Sequence, residues 1–151
     1  MALRRIFQDG ESVLTKGCRH VEKVDDTVGT LLDDMRETMR DADGVGLAAP
    51  QVGILRRIAV VEADDVYLEL INPQIIDFSG EQLGEEGCLS VDSSKNCRVL
   101  RPKTVTVRAL DRNGNEFEKT VNDLPARAVC HELDHLDGIL FYTKNYDGAK
   151  K

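Results

Sequence analysis

Two histidines four positions apart, in the segment CHELDH, constrain the fold of this chain more than any other feature. The flanking residues predict that they lie on a helix, because Asp123 can cap its start, Pro125 fits its first turn and Gly138 follows its end. Residues four apart share one face of a helix, so His131 and His135 can direct two imidazole rings at one metal ion. The fold then has to bring at least one further ligand to that face.

Glu132 completes an HExxH pattern and can act on a water molecule as general base. Because HExxH also occurs by chance, two surface histidines on a charged helix remain an alternative. A zincin-type metalloprotease is another alternative, but such enzymes commonly take a third ligand from downstream. No glutamate follows Glu132, no histidine follows His135, and Phe141 stands where the metzincin pattern requires a histidine. Asp147 and the chain terminus are weak candidates, so the third ligand is expected upstream.

The upstream candidates are one histidine and the cysteines, none of which forms a CxxC pair. His20 lies in a polar segment and is expected at the surface. Cys130 is rotated about 100° from the face of the two histidines and is expected to be a small buried residue. Cys97 has no further support, whereas Cys88 follows Gly87 in GEEGCLS, where the backbone can approach closely. Cys88 is therefore the better candidate, with a buried structural cysteine and a non-catalytic Cys-His-His metal module as alternatives.

The remaining sequence predicts one domain of the α+β class. Apolar residues at helical spacing predict an amphipathic helix over 25–41, whose core-facing residues are Val28, Leu31, Leu32, Met35 and Met39. A length of 151 residues fits a single catalytic domain, residues 1–151, with a real hydrophobic core.

Strands are predicted over 56–63 and 66–78, with an interruption at 72–73. Residues 103–121 alternate between apolar and polar side chains and turn at Asn113-Gly114, which is a hairpin signal. The expected fold is therefore a set of antiparallel strands packed around a C-terminal helix that carries HExxH.

Charge and hydropathy exclude several classes of function. The formal net charge is −7 at pH 7, which gives a nucleic-acid partner no overall electrostatic support. The sequence contains no apolar run that could span a membrane and no secretion signal, so we expect a cytoplasmic protein without a membrane partner.

Three segments together resemble the signature motifs of the peptide deformylases. GVGLAAPQVG (44–53), EEGCLS (85–90) and CHELDH (130–135) match the family patterns GxGxAAxQ, EGCLS and HExDH in the same order. The resemblance extends over nearly the whole chain, including INPQI and LDGILF. It implies a peptide-deformylase-like fold and the removal of the formyl group from formyl-methionine of newly made polypeptides, with release of formate.

The resemblance also implies a role for each residue of the site. Cys88, His131 and His135 would bind one divalent metal ion, most simply Fe²⁺, with Zn²⁺, Ni²⁺ or Co²⁺ as substitutes. The ion would lower the pKa of a bound water and so supply hydroxide for the attack. Glu132 would be the general base and then the general acid. The oxyanion hole would consist of two donors, the side chain of Gln51 and the backbone N–H of Leu89.

The implied substrate is a nascent peptide that pairs with the enzyme as an added strand. Pairing is expected at Val45, Gly46 and Gly87, and the apolar pocket for methionine is expected to include Val45, Leu124 and Ala128. Ordinary core packing is the alternative for these apolar residues. The chain has no long basic C-terminal helix, so we expect proximity to the ribosome during synthesis but no direct docking through such a helix.

The sequence departs from the family pattern after EGCLS. Asp92 replaces a common proline, and the loop before Arg101 is slightly longer, which leaves the preference for substrate side chains open. Glu85 and Glu86 are expected to form a solvated edge or to support the cysteine loop. Asp134 is expected either to bond within the site or to be solvated on the helix surface.

Overall fold

The computed structural model describes residues 2–148 and confirms the α+β class. Within this range the chain forms two α-helices and seven strands. The helices are α1 (Asp26–Asp41) and α2 (Asp123–Leu136). The strands are β1 (Gly46–Ala48), β2 (Ile58–Ala63), β3 (Val66–Ser79), β4 (Gln82–Glu86), β5 (Cys97–Arg101), β6 (Thr104–Leu110) and β7 (Glu116–Asn122). The strands form a five-stranded antiparallel sheet, in the order β1-β2-β3-β6-β7, and a separate antiparallel pair, β4-β5.

Helix α1 forms where the sequence predicts it. The side chain of Asp25 accepts a hydrogen bond from the N–H of Val28 at 3.2 Å and so caps the helix start. All five predicted core residues of this helix are buried. The helix is therefore held by an N-cap and by burial of one apolar face.

Helix α2 begins differently from the prediction. Asp123 is the first helical residue and has a φ of 56°, while Asn122 occupies the N-cap position without a side-chain cap. The prediction that Asp123 caps the helix is therefore wrong. Its N–H instead donates to the carbonyl of Lys103 at 2.9 Å, and its carboxylate pairs with the Lys103 ammonium at 2.7 Å. Asn122 is the last residue of β7 and is extended, but its side-chain oxygen accepts a hydrogen bond from Thr104 Oγ1 at 2.8 Å and so does not cap the helix. Gly138 follows the helix end, as predicted, with a φ of 74°.

Strand β3 continues through the predicted interruption. Its pairing with β6 shifts register between Ile71 and Gln74, and Asn72 has a φ of 51°. The side chain of Asn72 exchanges two hydrogen bonds with the backbone of Val21. The expected break is thus a β-bulge that ties the N-terminal segment to the sheet. The predicted hairpin over 103–121 is confirmed as β6 and β7.

The five-stranded sheet lies between the two helices. Val60 of β2 packs with α1, whereas its neighbour Val61 packs with α2, because successive side chains of a strand point to opposite faces. Cys130 packs in the cluster beneath α2, as expected for a small buried residue. The β4-β5 pair lies beside α2 and leads directly into the segment that carries Cys88.

In the part of the chain that the structure describes, neither helix combines the length and apolar character needed to cross a bilayer.

Candidate metal centre

Three predicted ligands meet at one point of the structure. Cys88 follows the end of β4, and His131 and His135 project from α2. One donor atom from each of these residues lies within 4.8 Å of the other two, and Cys88 Sγ is 3.3 Å from His135 Nε2. Both histidines are buried and Cys88 is half-buried. The fold therefore brings one thiol and two imidazoles together, although Cys88 and His131 are more than forty residues apart along the chain.

The geometry of this cluster fits a divalent metal ion. A tetrahedral ion with a sulfur ligand at about 2.3 Å and a nitrogen ligand at about 2.0 Å holds those two atoms about 3.5 Å apart, close to the observed 3.3 Å. One thiolate with two imidazoles suits zinc or iron(II). Three protein donors leave a fourth position open, which is the pattern of catalytic sites rather than structural ones.

Glu86 fixes the orientation of one candidate ligand. His131 Nδ1 donates to Glu86 Oε1 at 2.9 Å, so the Nε2 atom of that ring is left to face the cluster. Arg101 donates to both oxygens of the same carboxylate, at 2.8 and 2.9 Å, and Arg127 adds a third guanidinium contact at 2.7 Å. Burial acts to raise the pKa of Glu86, but these hydrogen bonds lower it to about 2. Glu86 is therefore ionised throughout the neutral range.

The importance of Glu86 was only half anticipated from the sequence. Two alternatives were predicted for Glu85 and Glu86. Glu85 is exposed, as predicted for a solvated edge. Glu86 is buried next to the cysteine loop, as predicted for a residue that supports this loop. Alternation in β4 could have suggested this, since Gly84 and Glu86 share the strand face that is turned toward α2. A Cβ on Gly84 would lie 3.0 Å from Arg127 Nη2, so that face has room for a guanidinium but not for a further side chain.

Asp134 also bonds within this network. It accepts from Arg101 Nη1 at 2.7 Å and pairs with Lys144 at 3.0 Å. Of the two expectations for Asp134, hydrogen bonding within the site is the one observed. Arg101 thus joins β5 to two carboxylates, one on β4 and one on α2.

Glu132 lies deep beside the cluster. The side chain is 3% exposed, and Oε1 is a buried oxygen without a hydrogen-bond partner in the described chain. Burial raises the pKa of Glu132 to about 7, although the nearby positive charge of His131 acts in the opposite direction. A Cβ on Gly46 would lie 2.4 Å from Glu132 Oε2, so this position in β1 requires glycine for space.

The two imidazoles respond differently to the same surroundings. Burial acts to lower the pKa of His131, but the negative charge of Glu132 and the hydrogen bonds with Cys88 and Glu86 outweigh it and raise the pKa. Burial lowers the pKa of His135 to about 3, and the charge of His131 lowers it further. His135 therefore presents a neutral imidazole, the form that binds metals.

Gln51 is held with its amide directed at the cluster. Its Oε1 accepts from the N–H of Ala48 at 2.9 Å, which fixes the side chain to the end of β1. Its Nε2 donates to Ser90 Oγ at 3.0 Å and approaches Cys88 Sγ at 3.5 Å. The side chain is 1% exposed. One amide N–H of Gln51 thus faces the same space as the metal donors, and Leu89 follows Cys88 directly along the chain.

A cavity of about 330 Å³ opens onto this cluster. All the residues predicted to contact substrate line it, namely Val45, Gly46, Gly87, Leu124 and Ala128. Its wall also includes Glu132, Gln51 and Arg127. Ala128 is nearly buried and packs in the core as well, whereas Leu124 is 39% exposed at the rim. The cavity is large enough for an unbranched side chain.

Strand β1 presents a free edge to the cavity, since it is the terminal strand of the sheet. The carbonyl of Val45 accepts from the N–H of Glu62 at 2.8 Å, so it is committed to β2. In an antiparallel ladder the next residue faces the other way, so the backbone N–H and C=O of Gly46 point away from β2. Gly46 is therefore available to an added strand, and Val45 offers its N–H and its side chain.

Other predicted candidates lie apart from the cluster. His20 is exposed, and Cys97 begins β5 and packs with Val99 and Phe141. The terminal carboxylate at Lys151 lies outside the described residues. The unusual loop forms a short 3₁₀ helix, Ser93–Lys95, in which Asp92 accepts from the N–H of Ser94 at 3.0 Å. Asp92 thus gives the loop a cap where the family commonly has a proline.

Comparison with known proteins decides the family. A family model described as polypeptide deformylase matches residues 3–151. The chain belongs to the polypeptide deformylase family. A peptide deformylase from Clostridium botulinum is 56% identical over 93% of this chain and 95% of the relative. One from Agathobacter rectalis is 52% identical over 99% of this chain and 93% of the relative.

Solved deformylase structures share the fold. The class I type b peptide deformylase of Acinetobacter baumannii has a TM-score of 0.91 at 37% identity and covers 95% of this chain and 99% of its own. The enzyme from Thermotoga maritima has a TM-score of 0.91 at 35% identity over 95% and 97% of the two chains. The resemblance of the three motifs to deformylases and the predicted deformylase-like fold are both confirmed.

Proposed function

We propose that this chain is a metal-dependent peptide deformylase, which hydrolyses the formyl group from the N-terminal formyl-methionine of newly made polypeptides and releases formate and a free amine. Family membership supports the reaction. The observation that carries the proposal is the open Cys88-His131-His135 cluster beside the unpartnered Oε1 of Glu132, at the inner end of the cavity. A structural Cys-His-His site would need neither an open position nor a buried carboxylate next to it.

The same three residues would hold the metal. We propose iron(II) as the native ion, as the family resemblance implies, with zinc, nickel or cobalt as substitutes, since the donor set of one sulfur and two nitrogens is compatible with each of these metals. When bound, the ion acts as a Lewis acid and lowers the pKa of water at the site toward neutrality. The Glu86 carboxylate keeps the His131 ring in the orientation that binding requires, since it accepts from Nδ1 at 2.9 Å.

Glu132 is the proton carrier of this proposal. Its Oε1 has no other partner in the described chain, so it is free to accept a proton from the attacking water. The same carboxyl group then gives that proton to the departing amine nitrogen, which leaves formate and the free N-terminus. Side chains placed for such transfers typically contribute about 10² to 10⁴-fold in rate.

Gln51 and Leu89 form the proposed oxyanion hole. The amide of Gln51 is held at both ends, by Ala48 and by Ser90, so no reorientation is needed when charge develops on the formyl oxygen. The backbone N–H of Leu89 is the second donor, brought to the site by the residue that supplies the thiolate. Loss of a single donor of this kind costs about 10² to 10³-fold in kcat.

The substrate peptide would lie along the free edge of β1. Gly46 supplies outward-facing backbone groups, Gly87 lines the opposite wall, and the cavity between them receives the methionine side chain. Val45, Leu124 and Ala128 supply the apolar lining. Solved relatives bound to actinonin and to Met-Ala-Ser are consistent with a peptide-like occupant in this family.

We further propose that residues 1–151 act as one catalytic domain in the cytoplasm, on chains that are still being synthesised. The match of the family model to residues 3–151 supports a single unit. The proposed substrate is a peptide, and catalysis itself involves no nucleic acid and no membrane.

The test is to replace Glu132 with alanine and to measure formate release and metal content together. We expect Glu132→Ala to lose at least about 10²-fold in kcat while it retains its metal. Asp137→Ala is the matched control, because Asp137 is an exposed acid at the end of the same helix that pairs with Arg57. A Glu132→Ala protein that keeps both metal and activity would rule out this role for Glu132.

A further inference from the structure

The turn that carries Leu89 is held by a segment from the beginning of the chain. The N–H of Val91 donates to the carbonyl of Cys88 at 3.1 Å, which closes a tight turn. Leu89 and Ser90 are the two central residues of this turn. The carbonyls of such central residues have no partner within the turn, so they are free to bond elsewhere. Residues 7–9, which we call the N-terminal strap, supply their partners.

The N-terminal strap bonds to both carbonyls at the centre of the turn. The N–H of Asp9 donates to the carbonyl of Ser90 at 2.7 Å. The side-chain amide of Gln8 donates to the carbonyl of Leu89 at 3.3 Å. This second bond fixes the peptide unit between Leu89 and Ser90, which is the unit that rotates when one type of tight turn converts into another. The N-terminal strap therefore holds the turn in one conformation.

The same segment is bonded to the residue that supplies the other proposed oxyanion donor. The N–H of Phe7 donates to the carbonyl of Gln51 at 2.7 Å. Because the chain advances by at most about 3.5 Å per residue, the N–H groups of Phe7 and Asp9 lie within about 7 Å of each other. The N-terminal strap thus limits the distance between Gln51 and the turn. It adds to the direct bond from Gln51 Nε2 to Ser90 Oγ at 3.0 Å.

The side chain of Asp9 fastens the N-terminal strap. Its carboxylate accepts from Lys95 Nζ at 2.8 Å and from the hydroxyl of Tyr142 at 2.9 Å. The Lys95 ammonium also lies 4.4 Å from the centre of the Tyr142 ring. The hydrogen bond from Lys95 lowers the pKa of Asp9, so this carboxylate is ionised at neutral pH. One ionised side chain thus joins the beginning of the chain to a loop and to the segment that follows α2.

Lys95 belongs to the loop that departs from the family pattern. The loop begins directly after the turn, at Asp92, and forms the 3₁₀ helix Ser93–Lys95. Asp92 stands where the family commonly has a proline, which would restrict the backbone. In this chain Lys95 ties the loop to Asp9, and Asp9 bonds back to Ser90. The turn, the loop and the N-terminal strap are therefore joined in one closed circuit of bonds.

We propose that Asp9 is a positioning residue, which holds the oxyanion hole of Gln51 and Leu89 in its working geometry through the N-terminal strap. The inference rests on the proposed function, since that reaction places negative charge on the oxygen that both donors would bind. Asp9 does not line the cavity, so it acts on catalysis only through the residues that it holds. Donors that have to reorient stabilise the transition state less. Loss of the Asp9 side chain therefore lowers kcat and leaves KM nearly unchanged.

The test measures kcat and KM for formyl-Met-Ala-Ser with the metal-loaded full chain. Asp9→Ala removes the carboxylate and both of its bonds. Asp33→Ala is the matched control, because Asp33 is an aspartate on α1 that pairs with Arg112 and does not line the cavity. We expect Asp9→Ala to lose roughly tenfold in kcat, which is a fraction of the loss of about 10² to 10³-fold for a whole donor. Its KM and metal content should stay within about twofold of the wild type, as should every value for Asp33→Ala.

Two further variants separate positioning from a general loss of stability. Asp9→Asn keeps an oxygen that can accept from Lys95 and Tyr142, so its kcat should stay within about threefold of the wild type. Lys95→Met removes one bond of the circuit and should lose roughly threefold in kcat; it carries the test if Asp9→Ala does not fold. Wild-type kcat in folded Asp9→Ala, or in Lys95→Met, would overturn the proposal. Equal losses in Asp9→Ala and Asp33→Ala would do the same, since they would indicate a general effect of a lost ion pair.

A second measurement does not depend on activity. The order parameter of the Leu89 N–H is measured by NMR on the zinc-loaded protein, because zinc has a filled d shell and is diamagnetic. We expect about 0.85 in the wild type and in Asp33→Ala, and a fall toward about 0.6 in Asp9→Ala. An unchanged order parameter in Asp9→Ala would overturn the proposal. If the wild type hydrolyses no formyl-peptide, the proposed function fails, whereas the order parameters still decide whether Asp9 holds the turn.

Discussion

Substitution of Gly46 by alanine would test how closely Glu132 is held. A Cβ at position 46 would lie 2.4 Å from Glu132 Oε2, 2.9 Å from Cδ and 3.0 Å from Cγ. Ordinary contact begins at 3.4 Å, so the carboxylate oxygen has to move by about 1.0 Å to make room. Glu132 also lines the cavity, so its carboxylate can make this shift only by leaving its observed position.

The substitution is expected to lower kcat strongly and the free energy of unfolding only modestly. A misplacement of about 1 Å in a reacting group can cost about 10²-fold, which corresponds to about 3 kcal/mol in the activation free energy. Overpacking of one methyl group costs about 1–3 kcal/mol in the free energy of unfolding. Gly46→Ala is therefore expected to be a folded, metal-loaded protein with kcat near one hundredth of the wild type.

The assay is formate release under saturating formyl-peptide, with metal content and urea unfolding measured on the same preparation. Gly29→Ala is the matched control, because nothing lies within 4 Å of the Cβ that it would add to α1. Alanine should stabilise that helix by about 1 kcal/mol and leave kcat unchanged. A Gly46→Ala protein with wild-type kcat would refute the reasoning, since it would show that Glu132 does not need its observed position.

Two further predictions concern stability. Hydrogen bonds from Arg40 and Arg36 lower the pKa of Glu62 to about 2, so its contribution is complete above its ordinary value of 4.5 and is lost as pH falls toward 2. Between pH 5 and about 2, the free energy of unfolding in urea should therefore fall less for Glu62→Gln than for the wild type. Equal decreases in the two proteins would contradict this. Arg101→Leu should destabilise the fold by about 3 kcal/mol in urea, because it removes a buried partner of two carboxylates. Arg108→Leu, at an exposed pair, should cost under about 1 kcal/mol, and equal losses would show that burial is not the cause.

The sequence was sufficient to predict the three clustered residues as candidate ligands, because the signals on α2 are local. Spacing on α2 predicts two imidazoles on one face, and the missing downstream ligand directs attention upstream. The preference for Cys88 over Cys97 came first from the flanking Gly87 and was then strengthened by the family motif. Only the fold shows that Cys88 lies beside the two histidines, while Cys97 begins β5 and packs with Val99 and Phe141.

The parts that sequence reasoning missed depend on long-range pairing. Glu86 becomes a buried acceptor only because Arg101, Arg127 and His131 converge on it from two other elements. Alternation in β4 can indicate which face is buried, but it does not indicate that these three partners lie on β5 and α2. Asp123 was misassigned for a similar reason, because the pairing of β7 with β6 places it against Lys103.

The most direct test of the account is formate release from formyl-Met-Ala-Ser by anaerobically purified, iron(II)-loaded protein, with Cys88→Ala measured beside it. The account predicts formate release by the wild type, together with loss of both release and bound metal in Cys88→Ala. No release from metal-loaded wild type would contradict the proposed activity. Undiminished release and metal content in Cys88→Ala would contradict the assignment of Cys88 as the third ligand.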